Sequence, residues 1–348
     1  MVGRQSALSG VLLGAALGTL LLQLLVLPLV LLPADARWGW LVAPLALTTI
    51  PLWSLVHEGI HGTLLRDRAW NDRWARVLAT GYGGPFTLLK AGHLLHHRYS
   101  RTRRERTEVY DPATTTWLAA ARGYYPRLLG GLYLLELVSV LLAVLPRAGW
   151  QFLVRRTDSL DSVTGLVFER VARRDNLRRF RIEAVAVVLT YTGSSLLYGR
   201  HVWLLGVAVG ARALLVSLAD NAYHYRTRLD RPLDAMNLRL PRALELFALA
   251  FNLHNVHHRH PGLRWYELRA AFVADRDEFH LGWFAAVARQ LQGPVPATAD
   301  EVRPAPPAAA GSVEAGQAGV RGRHVEMPVP DAPQGRARGQ RGRVAGGV

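Results

Sequence analysis

Residues 38–61 read WGWLVAPLALTTIPLWSLVHEGIH, an apolar run that ends in two histidines. About 20 apolar residues cross a hydrocarbon core of roughly 30 Å, so the part from Trp38 to Val56 is long enough to span a bilayer. Trp38 and Trp40 suit the membrane interface, where tryptophan is enriched. The stretch therefore predicts a transmembrane helix that carries His57 and His61 at its inner end.

Three other apolar stretches have a similar length, and they decide the fold class. The stretches at 7–33 and 38–56 are separated by a short connection, and those at 182–198 and 202–218 by Gly199-Arg200-His201. We therefore predict an all-α integral membrane protein. It has about four transmembrane helices in two hairpins together with interfacial helices.

The arginine distribution predicts the orientation, because loops rich in Lys and Arg stay in the cytoplasm. Arg4, the loop at 66–106, the loop at 147–181 and the region after residue 224 then share the cytoplasmic side. An apolar run at 128–145 precedes nine arginines. We expect it to be interfacial or re-entrant, since a crossing there would export them. We predict that the protein lies in a bacterial cell membrane, with the histidines and the C-terminal tail on the cytoplasmic side.

Composition excludes several kinds of site. The chain has 348 residues, 50% of them hydrophobic, and no cysteine, so disulfides, iron–sulfur clusters and thiolate zinc sites are excluded. The net charge is +16 and Lys90 is the only lysine. A basic chain suits nucleic acid, an anionic membrane surface or an acidic protein partner. The apolar runs favour the last two, and membrane orientation explains the arginines without nucleic acid.

The C-terminal composition differs from the rest. From about Gly293 the chain is rich in Pro, Ala, Gly and Arg, a composition that cannot bury enough apolar surface to fold. We therefore predict a membrane domain at 1–292 and a disordered tail at 293–348.

Eight of the thirteen histidines fall in three short boxes, which read HEGIH at 57–61, HLLHH at 93–97 and HNVHH at 254–258. Residues three or four apart lie on one face of a helix, so each box presents its imidazoles together. Neutral imidazole binds iron, zinc, copper or nickel. All three boxes lie on the predicted cytoplasmic side, which favours one shared metal site over separate surface pairs.

Eight ligands are too many for one ion and suit two, so we predict that the membrane helices carry a cytoplasmic head that is rich in histidine and holds two metals. His224, directly after the last predicted span, is a ninth candidate. Asp220, Asn221 and His260 are candidates to orient a ligand or a metal-bound water from outside. We expect His201, His280 and His324 to be non-ligands. The predicted metal ligands are His57, His61, His93, His96, His97, His224, His254, His257 and His258.

Two other kinds of protein could carry such histidines. The first box satisfies the His-Glu-x-x-His pattern of zinc proteases, with Glu58 as the general base. Such an enzyme takes a third ligand and has no use for six further histidines, and Gly59 is a poor helix former. A membrane metal carrier is the other alternative. It is expected to place polar groups within its spans, and these spans look nearly bare.

HEGIHG, HLLHH and HNVHH resemble the three histidine boxes of the membrane fatty acid desaturase superfamily, which includes desaturases, hydroxylases and carotenoid ketolases. The resemblance runs from about residue 38 to 270 and implies that the nine histidines above hold two iron ions. It also implies that molecular oxygen and two electrons are used to oxidise an unactivated C–H bond at the metal centre. No separate protein acid or base is assigned. Many acyl-chain members have asparagine where this chain has Asp220.

The resemblance favours a fatty acyl desaturase, with a hydroxylase or ketolase acting on a carotenoid or other terpenoid as the alternative. The substrate is expected to be apolar and lipid-like. Because the chain has no cysteine, electrons must come from an external ferredoxin or cytochrome b5-type donor with its reductase. An acidic ferredoxin could dock on an arginine cluster, although those arginines could equally serve only to orient the protein in the membrane. The cluster comprises Arg98, Arg101, Arg103, Arg104 and Arg106.

Overall fold

The computed structural model describes residues 2–229 and 231–297, and this part of the chain is mostly helical. The N-terminal apolar stretch is one helical segment, Leu8–Ala34, long and apolar enough to cross a membrane. It comprises the part of α1 (Val2–Leu21) from Leu8 onward, a π-helical stretch (Leu22–Leu31) and α2 (Leu32–Ala34). Pro28 lies inside the π-helical stretch, where its missing N–H and its ring disturb regular α-helical bonding. The segment agrees with the predicted span at 7–33.

The second apolar stretch is a broken helix. It comprises a 3-10 helix (Ala36–Leu41), α3 (Val42–Leu47) and α4 (Thr49–His61), with a bend of 42° between the two parts. Pro51 explains the break, because it cannot donate to the carbonyl of Leu47 and its ring crowds that carbonyl. The sequence-based prediction of a single helix over 38–56 is therefore corrected. The helix continues to His61 and ends at Gly62, whose φ of +78° suits glycine.

The second histidine box lies on a helix whose N-terminus is held by a carboxylate from another helix. α5 (Arg68–Tyr82) begins at Asp67, whose side chain accepts from the Trp70 amide, and α6 (Phe86–Tyr99) follows. Glu183 holds the start of α6, since the Thr87 amide donates to it at 2.7 Å and Arg76 pairs with it. A carboxylate at a helix N-terminus is favourable. β1 (Val109–Tyr110) comes next.

The stretch expected to be interfacial or re-entrant is part of a longer helical segment, Trp117–Val144, which is also long and apolar enough to cross. It contains α7 (Trp117–Pro126), a π-helical stretch (Arg127–Gly131), α8 (Leu132–Val138) and a 3-10 helix (Ser139–Val144). The helical geometry breaks at Leu129 and Gly130, where φ at Gly130 is +120°. A Cβ at Gly130 would come within 3.3 Å of Ala213. Length permits a crossing and the break permits a re-entrant path, so our assignment stays a prediction.

After Val144 the chain forms two amphipathic helices and then the longest apolar segment, Arg174–Ala222, which is made of two helices joined by a 3-10 turn. These are α9 (Arg147–Thr157), α10 (Thr164–Ala172), α11 (Arg174–Tyr198), a 3-10 turn (Gly199–His201) and α12 (Val202–Ala222). Arg212 of α12 donates to the Tyr191 hydroxyl of α11 at 2.6 Å, so these helices lie side by side. The described residues contain three helical segments long and apolar enough to span, or four when the bent pair counts as one. A four-crossing topology in two hairpins remains a prediction.

The C-terminal part is a set of short elements. They are β2 (Leu238–Arg239), α13 (Arg242–Phe247), α14 (His254–Arg259), α15 (Leu268–Ala274), β3 (Leu281–Gly282), α16 (Trp283–Arg289), a 3-10 turn (Gln290–Gln292) and β4 (Val295–Pro296). β1 pairs with β4 and β2 with β3, both in parallel, with Val109 opposite Val295 and Leu238 opposite Leu281.

This pairing corrects one boundary. Residues 293–297 were assigned to a disordered tail, yet the Val295 amide donates to the Glu108 carbonyl at 2.8 Å and the Ala297 amide to the Tyr110 carbonyl at 2.8 Å. The folded part therefore continues through residue 297. The rest of the predicted tail, 298–348, lies outside the described residues.

The apolar core contains a charged side chain that the sequence analysis overlooked. Arg212, 3% exposed, donates to the carbonyls of Gly81 and Tyr82 at 3.1 and 2.8 Å and to Gln23 Oε1 at 3.2 Å. The spans are therefore less bare than the sequence suggested. The guanidinium shares these C-terminal carbonyls of α5 with two hydroxyls, because Tyr191 also donates to Gly81 and Tyr133 to Tyr82.

Candidate metal centre

The three boxes meet although they are far apart in the chain. The first lies at the end of α4, the second on the last turns of α6, and the third forms α14, while His224 follows α12. All nine predicted ligands fall into two groups, and within each group the candidate ligand atoms lie within 4.8 Å of one another. One group has five members, His57, His61, His93, His97 and His257, and the other has four, His96, His224, His254 and His258.

The second and third boxes each contribute to both groups. His96 and His97 are neighbours in sequence but belong to different groups, and so do His257 and His258. Successive residues point about 100° apart around a helix, so adjacent histidines diverge to opposite sides. The doubled histidine in HLLHH and HNVHH therefore contributes one ring to each group, an arrangement that fits two ions rather than one.

The Nε2 atoms converge in both groups. In the five-histidine group they are 2.9 Å apart between His61 and His93 and 3.0 Å apart between His97 and His257. In the four-histidine group Nε2 of His258 lies 3.1 Å from that of His254 and 3.2 Å from that of His96. With a metal–nitrogen bond of about 2.1 Å, nitrogens at right angles around one ion are about 3.0 Å apart. The spacing fits imidazoles that share an ion.

Burial keeps most of these rings neutral, which is the form that binds a metal. It lowers the pKa of His93, His224, His254, His257 and His258 well below 6.5, and that of His97 to about 2. Repulsion between neighbouring imidazoles adds to the effect in each case. His96 is the exception: burial acts to lower its pKa, but the carboxylates of Glu105 and Asp220 outweigh burial and raise it.

Two of the ligands have an outer partner that fixes the ring. Nδ1 of His96 lies 2.8 Å from Oε1 of Glu105, and Nδ1 of His224 lies 3.2 Å from the carbonyl of Asp234. Metal-bound histidines usually hydrogen bond in this way through their second nitrogen. Nε2 of His224 is buried and has no hydrogen-bond partner among the described residues, as expected of a ligand atom. The sequence analysis did not identify Glu105 as a partner of His96, because Glu105 lies among arginines and the run was interpreted only as a positively charged segment.

A fully buried asparagine, also missed, sets the position of the third box. The side-chain Oδ1 of Asn237 accepts from the backbone amides of Asn255 and Val256 at 3.1 and 3.3 Å. The backbone amide of Asn237 donates to His280 Nδ1 at 3.1 Å. α14 has six residues, too few to be stable alone, so this side chain caps and anchors it. The signal available in the sequence was weak, because a single asparagine 17 residues before the box resembles any loop residue.

The residues predicted to act from outside the ligand set have mixed positions. Asp220 acts on His96 through its charge. Oδ1 of Asn221 accepts from the Thr107 hydroxyl at 3.3 Å, and its Nδ2 is buried without a partner among the described residues. His260 points away: its side chain is 43% exposed and lies 3.0 Å from Oδ2 of Asp275. His201 and His280 lie outside both groups, and His324 lies outside the described residues.

The arginine cluster predicted as a docking face is only partly a surface. Arg101 is 2% exposed and donates to Glu108 and to the Thr227 carbonyl, both at 2.8 Å. Arg103 pairs with Asp161 and Arg104 donates to the Ser159 carbonyl. Arg101 is therefore a structural residue, and the prediction is corrected at that position.

The residues present fit a pair of metal ions: nine imidazoles in two convergent groups, neutral through burial, with orphaned Nε2 atoms on His57 and His224. The model of the fatty acid desaturase family matches residues 38–285. No curated protein and no solved structure matched the chain. Because the family match covers well over half of the sequence and includes all three boxes, this chain belongs to the fatty acid desaturase family.

Proposed function

We propose that the protein is an oxygen-dependent di-iron membrane oxidoreductase that desaturates a fatty acyl chain. The observation that carries this proposal is the division of nine imidazoles into convergent groups of five and four. An all-nitrogen ligand set of this size has room for two ions and for little else. The proposed catalytic unit comprises residues 1–297, which extends the membrane domain predicted from the sequence by five residues.

The assignment of iron rests on the family, because imidazole also suits zinc, copper and nickel. The five-histidine group would hold one iron and the four-histidine group the other. Two iron ions there would supply, with oxygen and two electrons, the oxidation of an unactivated C–H bond. The contribution of this chain is to hold the imidazoles neutral and oriented and to shield them from water.

The walls of the site divide into a closed side and an open side. His57, His254, His257 and His258 are buried, and the Phe251 ring closes the floor, with ring centroids 4.9 Å from His57 and 5.0 Å from His254. The four histidines that face outward are partly exposed: His61, His93, His96 and His97. Bulk solvent is thus excluded on the Phe251 side, and electrons would enter on the side of α6.

An apolar substrate is supported by a groove of about 900 Å³ between the 36–47 region and α12. It is lined mainly by small and aliphatic side chains, among them Ala43, Ala46, Val207 and Ala211. The same polypeptide segments lead to ligands, since α4 continues to His57 and α12 ends two residues before His224. A lipid-like chain lying along these helices would approach the centre from the bilayer.

Electrons would come from an external donor, because the chain contains no cysteine for an iron–sulfur cluster. We propose a ferredoxin or cytochrome b5-type protein with its reductase. The arginines that remain available for an acidic donor are Arg98 and Arg106, because Arg101 is buried and Arg103 and Arg104 already have partners. A turnover rate that does not change with ionic strength would contradict docking on these residues, because salt screens interactions between exposed charges.

The deciding experiment is expression in a host that supplies a ferredoxin and reductase, followed by lipid and pigment profiling. New double bonds in acyl chains would support desaturation. Oxygenated carotenoids would instead support the alternative, a ketolase or hydroxylase. His96→Ala should abolish product formation while the protein still inserts in the membrane. Absence of both products, with negligible iron in the purified protein, would refute the proposal.

A further inference from the structure

Glu58 lies inside the first histidine box, and the zinc-protease pattern would make it a general base. The structure places it elsewhere. Its side chain is buried, with the residue 4% exposed, and Oε2 has no hydrogen-bond partner among the described residues. Leaving a buried polar atom without a partner is costly, so native proteins satisfy nearly all of them. Oε2 of Glu58 therefore points to a missing partner.

A second buried atom in the same place lacks a partner. Nε2 of His254 faces the four-histidine group, and its other nitrogen, Nδ1, is buried without a partner among the described residues. Metal-bound histidines almost always donate this second N–H to a carboxylate, a carbonyl or a water. In the same group, His96 has Glu105 and His224 has the Asp234 carbonyl. His254 needs an equivalent acceptor.

One small cavity is lined by both residues. Its volume is about 10 Å³, close to what one water molecule needs, and its wall also includes Ser54, His57 and His257. The Ser54 hydroxyl donates to the Ala248 carbonyl at 2.9 Å, which leaves a lone pair on Oγ to accept. Three polar groups thus surround the space, the number of hydrogen bonds typical of a buried water. His258 also has an unpartnered Nδ1, but it does not line this cavity.

We propose that this cavity binds one water molecule, which accepts from Nδ1–H of His254 and donates to Oε2 of Glu58. Glu58 is then a positioning residue for the four-histidine group, although it lies beside His57 of the five-histidine group. The water joins the first box to the third and couples the two metal sites through their outer contacts. This inference rests on the metal-binding part of the proposed function and needs no statement about the substrate.

The test is metal retention by the purified full-length protein. The metal-free protein is reconstituted with ⁵⁷Fe²⁺ and challenged with increasing concentrations of a chelator, and Mössbauer spectra report which iron is lost. His224→Ala and His61→Ala provide the reference spectra for damage to the four- and five-histidine groups. Glu58→Gln keeps an oxygen that can accept, but it removes the negative charge that strengthens the hydrogen bond from the water. We therefore expect iron in the four-histidine group to be held about 10–100-fold more weakly. Iron in the five-histidine group should remain as in the wild type.

Glu267→Gln is the matched control, because Glu267 lies near Glu58 but does not line the cavity and accepts from the Arg264 amide. It should retain both irons. Retention of both irons in Glu58→Gln, or equal loss of both, overturns the proposal. If Glu58→Gln does not fold, Glu58→Asp decides by the same comparison, with selective loosening of one iron in support and any other pattern against. A wild-type protein that binds no metal would instead refute the proposed function.

Discussion

The buried guanidinium of Arg212 should be a main source of stability for the helix bundle, and Arg212→Met tests this. Its hydrogen bonds reach the Gly81 and Tyr82 carbonyls, the Tyr191 hydroxyl, Gln23 and Thr49. These acceptors belong to four other segments of the chain. Removing the guanidinium therefore unties α12 from its neighbours while methionine still fills most of the volume.

The magnitude follows from the number of bonds. Hydrogen bonds between membrane helices contribute about 0.6 kcal/mol each on average, so five of them contribute about 3 kcal/mol. Methionine also removes the cost of keeping a cation in an apolar core, which offsets part of this loss. We therefore expect the free energy of unfolding to fall by about 2 kcal/mol. Arg212→Lys keeps the charge but cannot reach all the acceptors, so its loss should be smaller.

The assay is unfolding of the purified protein in detergent micelles, followed by circular dichroism against denaturant. Arg200→Met is the control, because Arg200 is exposed in the 199–201 turn and exposed polar contacts contribute little. Wild-type stability in Arg212→Met would refute the reasoning that these bonds hold the bundle together. A loss of similar size in Arg200→Met would show that the effect does not depend on the buried network.

Three further outcomes are expected. Glu105→Gln should weaken metal binding in the four-histidine group about 10–100-fold, measured by chelator competition, since the Glu105 carboxylate orients His96. The metal-free protein should lose stability as the pH falls below about 6.5, measured as a lower Tm at pH 5.5 than at 7.5. The folded-state pKa values of the buried histidines lie below 6.5, so below that pH the unfolded chain binds more protons. Because the chain has no cysteine, Ala113→Cys and Arg200→Cys can be labelled singly with an impermeant thiol reagent in intact cells. Labelling of Ala113→Cys alone would contradict the predicted orientation.

Much of the fold followed from local composition. The apolar stretches at 7–33, 38–56, 182–198 and 202–218 were predicted from runs of residues, since hydropathy is a property of the segment itself, and the long apolar helical segments cover nearly all of these residues. The 42° bend between α3 and α4 was not predicted, although Pro51 was visible, because a proline in an apolar run can kink a helix or be tolerated. Residues 293–297 were misassigned because their strand exists only through its partner at 109–110.

The metal centre shows the same division between local and long-range information. The sequence alone predicted the nine candidate histidines, because a scarce residue type at helical spacing is a local signal that can be read directly from the chain. Only the tertiary structure decided how they divide into groups of five and four, and that Glu105 contacts His96 and Asn237 anchors the third box. Each of these partners depends on a contact between segments that packing brings together. A carboxylate or an amide has no distinguishing mark in sequence until its neighbour across the fold is known.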